Sequence, residues 1–208
     1  MNISSNLAEL IGAYIGDGYL YNKKRTYQLG FVGHPETDKK YFEHLVNLIF
    51  LEFNKKSKIK LSGRGIRIVV SSKNICNLFT ENLGLSFGEG KCEKISIPSE
   101  ILEDWFLVRN VLRGIVDTDG SVFAVKKPRV MRYPSIEITT CSKKLANQIR
   151  KILLKRGFRV AKIWKFKSKN SKRVGYRVPL NGKKNLKKWL DEIGFSNPYK
   201  LKRAKSYL

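Results

Sequence analysis

Histidine is nearly missing from this chain. His34 and His44 are its only two, which leaves little room for imidazole acid and base chemistry or for a histidine-built metal nuclease site. Cysteine is scarce as well: Cys76, Cys92 and Cys141 are odd in number and form no CxxC pair, so neither a disulfide framework nor a zinc site is expected. Acidic residues are few, seventeen Asp and Glu against forty-two Lys and Arg, which leaves a formal charge of +25. Such an excess repels itself in a compact fold unless a polyanion is the natural partner, and nucleic acid is the first candidate. No apolar run approaches the roughly eighteen residues of a membrane span, and neither a lipid-anchor motif nor the apolar core of a signal peptide is present. The cytoplasm or nucleoid is the expected location. What the chain does have is 208 residues, 42% of them hydrophobic, enough for a sizeable core. Any catalysis has to run on carboxylates, lysines and a hard metal ion.

The chain is also one unit written twice. Residues 10 to 20 read LIGAYIGDGYL and residues 112 to 122 read LRGIVDTDGSV, which aligns Leu10 with Leu112, Gly12 with Gly114, and Asp17-Gly18 with Asp119-Gly120. Downstream, Asp38-Lys39-Lys40 opens an apolar-periodic run through Phe42, Leu45 and Ile49, and Ser142-Lys143-Lys144 opens another through Ala146, Ile149 and Leu153. Both predict amphipathic helices. Alternating segments follow in each half: Lys58 to Leu61 and Arg64 to Ser71, then Val160 to Lys167 and Arg173 to Leu180. These predict strand hairpins, with Ile66, Ile68 and Val70 on one face and Arg67 on the other. A short helix then closes each half at Leu83-Gly84 and at Ile193-Gly194, glycine standing where the chain must leave the helix. The expected fold is α+β, a duplicated α-β-β-α-β-β-α unit, with the first repeat and linker over 1–98 and the second over 99–208, near Pro98.

Within each motif, small residues stand four apart, Gly12 and Gly16 in one and Gly114 and Thr118 in the other. That spacing lets two helix backbones approach closely. Each motif helix then ends in Asp-Gly. A carboxylate there faces the negative end of the helix dipole, and two brought together repel unless a cation sits between them. Asp17 and Asp119, with the carbonyls of Gly16 and Thr118, are therefore the candidate ligands of a hard divalent ion, Mg²⁺, Mn²⁺ or Ca²⁺.

At these residues the sequence resembles the single-chain LAGLIDADG homing endonucleases. The signature corresponds to residues 10–18 and 112–120, and its eighth position, the metal-binding acid, is Asp17 in one copy and Asp119 in the other. Its sixth position is often acidic, and here it is Ile15 and Asp117, which implies only a supporting role for Asp117. The resemblance implies a pseudo-twofold molecule, two motif helices packed at the centre and two saddle-shaped antiparallel sheets lying in the major groove of double-stranded DNA. The DNA-binding candidates are then Lys23, Lys24, Arg25, Arg64 and Arg67 in the first half, and Lys126, Lys127, Arg129, Lys165, Lys167, Arg173 and Arg177 in the second. Relatives place a lysine beside each active site. Lys91 and Lys94 are the alternatives in the first half, and Lys200 is the choice in the second.

The implied activity is metal-dependent hydrolysis of both DNA strands by a monomer, with Mg²⁺ as the ion, Mn²⁺ as a substitute and Ca²⁺ binding without supporting cleavage. An RNA-binding intron maturase on the same scaffold is the alternative, with intron RNA as partner; it would keep the basic surface and not need the acids. A basic structural protein would explain the charge but not the duplicated motif. An intein is not expected, because Met1-Asn2 and Tyr207-Leu208 lack splicing residues, and a free-standing, intron-encoded enzyme is favoured.

Overall fold

The first motif helix begins because Ser4 stops the chain ahead of it: its hydroxyl accepts the Leu7 N–H at 3.0 Å, and α1 runs Ser5–Ile15. The computed structural model describes residues 2–128, 130–167 and 173–208. Every residue of α1 from Leu7 to Ile15 is buried, which an amphipathic surface helix could not show. Its counterpart α6, Trp105–Asp119, starts at Asp104, whose carboxylate accepts the Phe106 N–H at 2.7 Å.

Between and after these helices the two halves repeat each other. In the first, β1 (Gly18–Lys23) and β2 (Thr26–Gly33) precede α2 (Lys39–Phe53), then β3 (Lys60–Ser62), β4 (Gly65–Ser71) and α3 (Lys73–Asn77), which continues into a π-helical turn. Two short helices, α4 (Lys91–Lys94) and α5 (Ser99–Leu102), lead into α6. The second half follows with β5 (Gly120–Lys127), β6 (Val130–Thr140), α7 (Lys143–Lys155), β7 (Trp164–Lys167), β8 (Val174–Asn181), α8 (Lys183–Glu192) and α9 (Pro198–Lys205). Both sheets are antiparallel and four-stranded, in orders β1-β2-β4-β3 and β5-β6-β8-β7. The α+β duplication expected from the sequence is therefore the observed architecture.

Two details differ from the sequence expectation. Strand β7 begins only at Trp164, the expected start at Val160 being an isolated bridge to Leu180. The helices α4, α5 and α9 are additional to the repeating unit. The glycine exits are as expected: Gly84 and Gly194 have φ of +59° and +74°, a left-handed conformation that side chains disfavour.

Strand register sorts each sheet into two faces. Leu20, Leu29, Phe31, Ile66, Ile68 and Val70 share the face buried in the core, and Arg67 lies on the other with Tyr19, Tyr21, Gln28 and Ser71. In the second sheet Val122, Ile136, Ile138, Val178 and Leu180 take the buried face.

The centre is where the two motif helices touch. A Cβ added to Gly12 would lie 2.2 Å from the Val111 carbonyl oxygen, and one added to Gly114 would lie 2.4 Å from that of Glu9. Only glycine fits at such a backbone crossing. Buried Glu9 adds direction to the contact, since it accepts from Arg113 Nε and Nη2 at 3.0 and 2.6 Å and from His44 at 2.8 Å. Burial alone would raise its carboxyl, but the His44 bond and the Arg113 charge outweigh that and hold it below its usual range. The repeat pairs Glu9 with Val111 and Arg113 with Ile11, so this bond exists on one side of the pseudo-axis only.

Candidate active site

Helix α1 ends at Ile15 and leaves Asp17 in the turn before β1, whereas α6 runs through Asp119 and Gly120 opens β5. The two helix ends meet closely. A Cβ on Gly16 would fall 2.1 Å from Thr118 Oγ1 and 3.4 Å from the carboxyl carbon of Asp119, so glycine at 16 is what admits the second acid. Thr118 turns its hydroxyl back onto the Gly114 and Ile115 carbonyls, at 2.9 and 3.0 Å.

Both acids are open to solvent on one side and enclosed by protein on the others. Burial first, and then the charge of Asp17, raise Asp119 to about 7, while Lys91 and Lys200 oppose the shift. Burial also raises Asp17, with Lys200 working against it. At Asp119 the repulsion of Asp17 adds to burial. That repulsion is what a bound cation relieves.

A lysine stands behind each acid, held in matching ways. Lys91, the first residue of α4, donates to the carbonyls of Tyr14, Gly16 (3.3 Å) and Gly18, with its ammonium 4.4 Å from the Tyr14 ring centroid. Lys200, in α9, donates to the carbonyls of Val116, Asp117 and Thr118 at 2.7, 2.9 and 2.9 Å. Tyr14 matches Val116 and Gly16 matches Thr118 in the repeat, so two chemically equivalent carbonyls anchor each lysine. Burial lowers Lys91 to about 8, against the pull of Asp119 and Asp17. It lowers Lys200 too, against Asp117 and Asp38. Of the two alternatives in the first half, Lys91 reaches the site, while Lys94 is exposed.

Asp117 is buried, 1% exposed. Its Oδ2 accepts the Ser196 N–H at 2.7 Å, while its Oδ1 and the nearby Tyr41 hydroxyl have no hydrogen-bond partner among the described residues. Burial raises it to about 7. The Ser196 bond ties the segment that leads into α9 and Lys200. Asn197 completes that tie, capping α9 through the Tyr199 N–H (3.0 Å) and donating to Asp38 at 3.1 Å. Neither Asn197 nor Tyr14 stood out in the sequence, although Asn197-Pro198 is a helix-start signature that could have marked the first.

The donor set fits a hard cation. Among the described residues no group of three or more His, Cys, Asp or Glu side chains could hold a metal, so Asp17 and Asp119 would act with backbone carbonyls and outside ligands. That is how Mg²⁺ is usually held, by one or two carboxylates with water and substrate phosphate.

Residues 106–194 match the LAGLIDADG-like domain family. The whole chain superposes on I-DmoI in complex with DNA and Ca at TM-score 0.65, with 19% identity over 99% of this chain and 98% of that one. The same protein with DNA and Mn gives 0.62, at 18% identity, over 93% and 98%. The chain has the two-motif LAGLIDADG fold. Curated relatives of the chain include the replication factor C small subunit of Methanocaldococcus jannaschii, 33% identical over 96% of this chain. Another is the tRNA-splicing ligase RtcB of Pyrococcus furiosus, 30% identical over 97%. The chain spans only 10% and 22% of those two proteins.

The LAGLIDADG sheets distribute the basic candidates unevenly. Lys23, Lys24 and Arg25 form the exposed end of the β1–β2 hairpin, Arg64 sits in the β3–β4 turn, and Arg67 projects from the outer face. Lys126 is exposed, Lys127 lies 3.8 Å from the Tyr133 ring centroid, and Arg129 falls outside the described residues. Arg173 pairs with Glu93 at 3.4 Å. Arg177 shares its face with Trp164 and Phe166, whereas Lys165 and Lys167 alternate onto the opposite face. The fold also brings Cys92 and Cys141, which stand apart in the sequence, into one cleft beside Asp119.

Proposed function

We propose that the chain is a site-specific endonuclease that hydrolyses both strands of duplex DNA with a divalent metal ion. The observation that carries this reading is the pair Asp17 and Asp119, brought together at the crossing of two glycine-packed helices and each backed by a lysine on equivalent carbonyls. Asp17, Asp119 and the Gly16 and Thr118 carbonyls would hold the ion, which supplies Lewis-acid stabilisation to the scissile phosphate when bound. Lys91 and Lys200 place fixed positive charge beside that position, where charge develops on the phosphoryl oxygens. Asp117 positions Lys200 through Ser196 and does not touch substrate.

The charge of +25 supplies the electrostatic attraction to phosphates. The DNA-bound I-DmoI structures support duplex DNA as partner and a divalent ion as cofactor. The names of the curated relatives do not transfer: two proteins so differently named share this segment over a small part of their length, as an inserted nuclease module would be shared. Both halves lie in one chain, so the enzyme acts as a monomer on one duplex.

Incubation of the purified chain with a pool of randomised duplexes tests the reading. Mg²⁺-dependent cuts through both strands at a recurring site, abolished by EDTA, are expected, with sedimentation showing one monomer per duplex. Binding without cleavage in any divalent ion would sink the nuclease assignment.

A further inference from the structure

Arg177 and Arg67 occupy equivalent places in the two sheets but stand in opposite surroundings. Arg67 faces Val32 and Lys60 across its neighbouring strands, and it makes no ion pair among the described residues. Arg177 faces Thr139 and Trp164. One step along β6 on that same face, Glu137 approaches Arg177 Nε to 3.4 Å, and the guanidinium lies 4.3 Å from the Phe166 ring centroid. In the first sheet the place of Glu137 is taken by Gly30, filled over by the Tyr19 ring.

A carboxylate on this face requires a reason. The chain has only seventeen acids, and one turned toward a polyanion repels every phosphate near it. It contributes to binding where it accepts a hydrogen bond from a base, and the major groove offers amino donors at cytosine N4 and adenine N6. The neighbouring arginine decides between them. A guanidinium fork matches guanine O6 and N7, and the cytosine N4 amino group sits beside that edge in the same pair. Arg177 also packs on the ring with the carboxylate at ion-pair range, although its buried Nε makes no hydrogen bond among the described residues, so part of its freedom is already lost before binding.

We infer that Glu137 and Arg177 together read one G·C base pair in the major groove, Arg177 on guanine and Glu137 on cytosine, with Arg67 a phosphate contact. This rests on the proposed duplex-DNA reading. It makes the half-site under the second sheet the more discriminating of the two.

The test is selection of bound duplexes from a randomised pool, in Ca²⁺, by the full chain and by its Glu137→Ala, Glu137→Gln and Arg177→Lys variants. The wild type is expected to enrich a site containing a G·C pair favoured about 5- to 150-fold over other pairs, the discrimination of one bidentate contact. All three variants should lose preference at that single position and keep it elsewhere. Arg67→Ala should lose no base preference but lower the salt slope of binding by about one. Melting temperatures confirm that the variants are folded, and Arg177→Lys, which keeps the charge, guards against a simple charge effect. If the wild type retains and enriches no duplex, the duplex-DNA reading fails and this inference with it. If the wild type enriches a site and the folded variants keep its full preference, only the Glu137–Arg177 assignment is overturned.

Discussion

The two halves of the molecule share their strand order and the placement of two acids and two lysines, and differ in what holds those residues. Asp17 and Asp119 share one placement at the helix crossing, and Lys91 and Lys200 share anchoring carbonyls in the repeat. Yet Lys91 comes from a four-residue helix and rests on an aromatic ring, while Lys200 comes from α9, tied down by Asp117, Ser196 and Asn197. Glu9 meets Arg113 on one side of the axis, and on the other the matching residues are Val111 and Ile11. A duplicated chain is free to diverge in its supports, and the residues that stay alike are those the proposed cleavage would need.

That comparison is broken most sharply by removing one lysine at a time. Lys91→Met and Lys200→Met should each slow cleavage by about 10²- to 10³-fold, the usual effect of losing one donor to developing charge. Strand-labelled duplexes should show each loss mainly on one strand. Equal slowing of both strands by either variant would mean that the two sites act as one.

Packing is the next test. In Gly114→Val the first added atom meets the Glu9 carbonyl at 2.4 Å, and backbone cannot swing aside, so the cost should exceed the roughly 1–3 kcal/mol of ordinary overpacking. Glycine to valine at Gly84, which has no atom within 4 Å of an added Cβ, should cost only its left-handed strain. Thermal melts compare the two directly.

Asp117 sharpens the asymmetry through pH. Its folded value near 7, and that of Asp119, lie above the ordinary aspartate value of 3.8. The folded protein therefore holds more protons than the unfolded chain between about pH 4 and 7, and without metal its stability falls as pH rises through that window. Asp117→Asn should flatten the fall and melt higher than wild type at pH 8, with little difference below pH 4. Ile15→Asn, at the matching position of the first half, should give no such gain.

The smallest effect concerns the β1–β2 hairpin. Lys24 and Arg25 have φ of +49° and +63°, the arrangement of a two-residue turn that favours Asn-Gly. Joint replacement by Asn and Gly should stabilise the fold by about 1 kcal/mol while weakening DNA binding and reducing its salt slope by up to about two. Unchanged affinity would remove this hairpin from the binding surface.

Much of the molecule was legible from residue spacing. The small residues four apart foretold the helix crossing, and the alternation of Ile66, Ile68 and Val70 foretold which face Arg67 takes. The lysines were less so: Lys91 and Lys94 both sit on α4, and which one reaches the Tyr14 and Gly18 carbonyls depends on how α4 packs. Arg177 matched Arg67 in sequence, but its partner Glu137 is forty residues away and adjoins it only through strand register. Pairing with β8, which sets Trp164 against Arg177 and Lys165 against Tyr176, puts Lys165 and Lys167 on the face opposite Arg177, which a count of basic residues does not reveal.

Asp17 and Asp119 should both be essential to cutting, and neither should be essential to binding. Strand-resolved cleavage of a selected duplex by Asp17→Asn and Asp119→Asn proteins, with binding measured in Ca²⁺, tests this most directly. Loss of double-strand cleavage in each variant, with the duplex still bound, is the predicted result. A fully active Asp119→Asn protein would contradict the account.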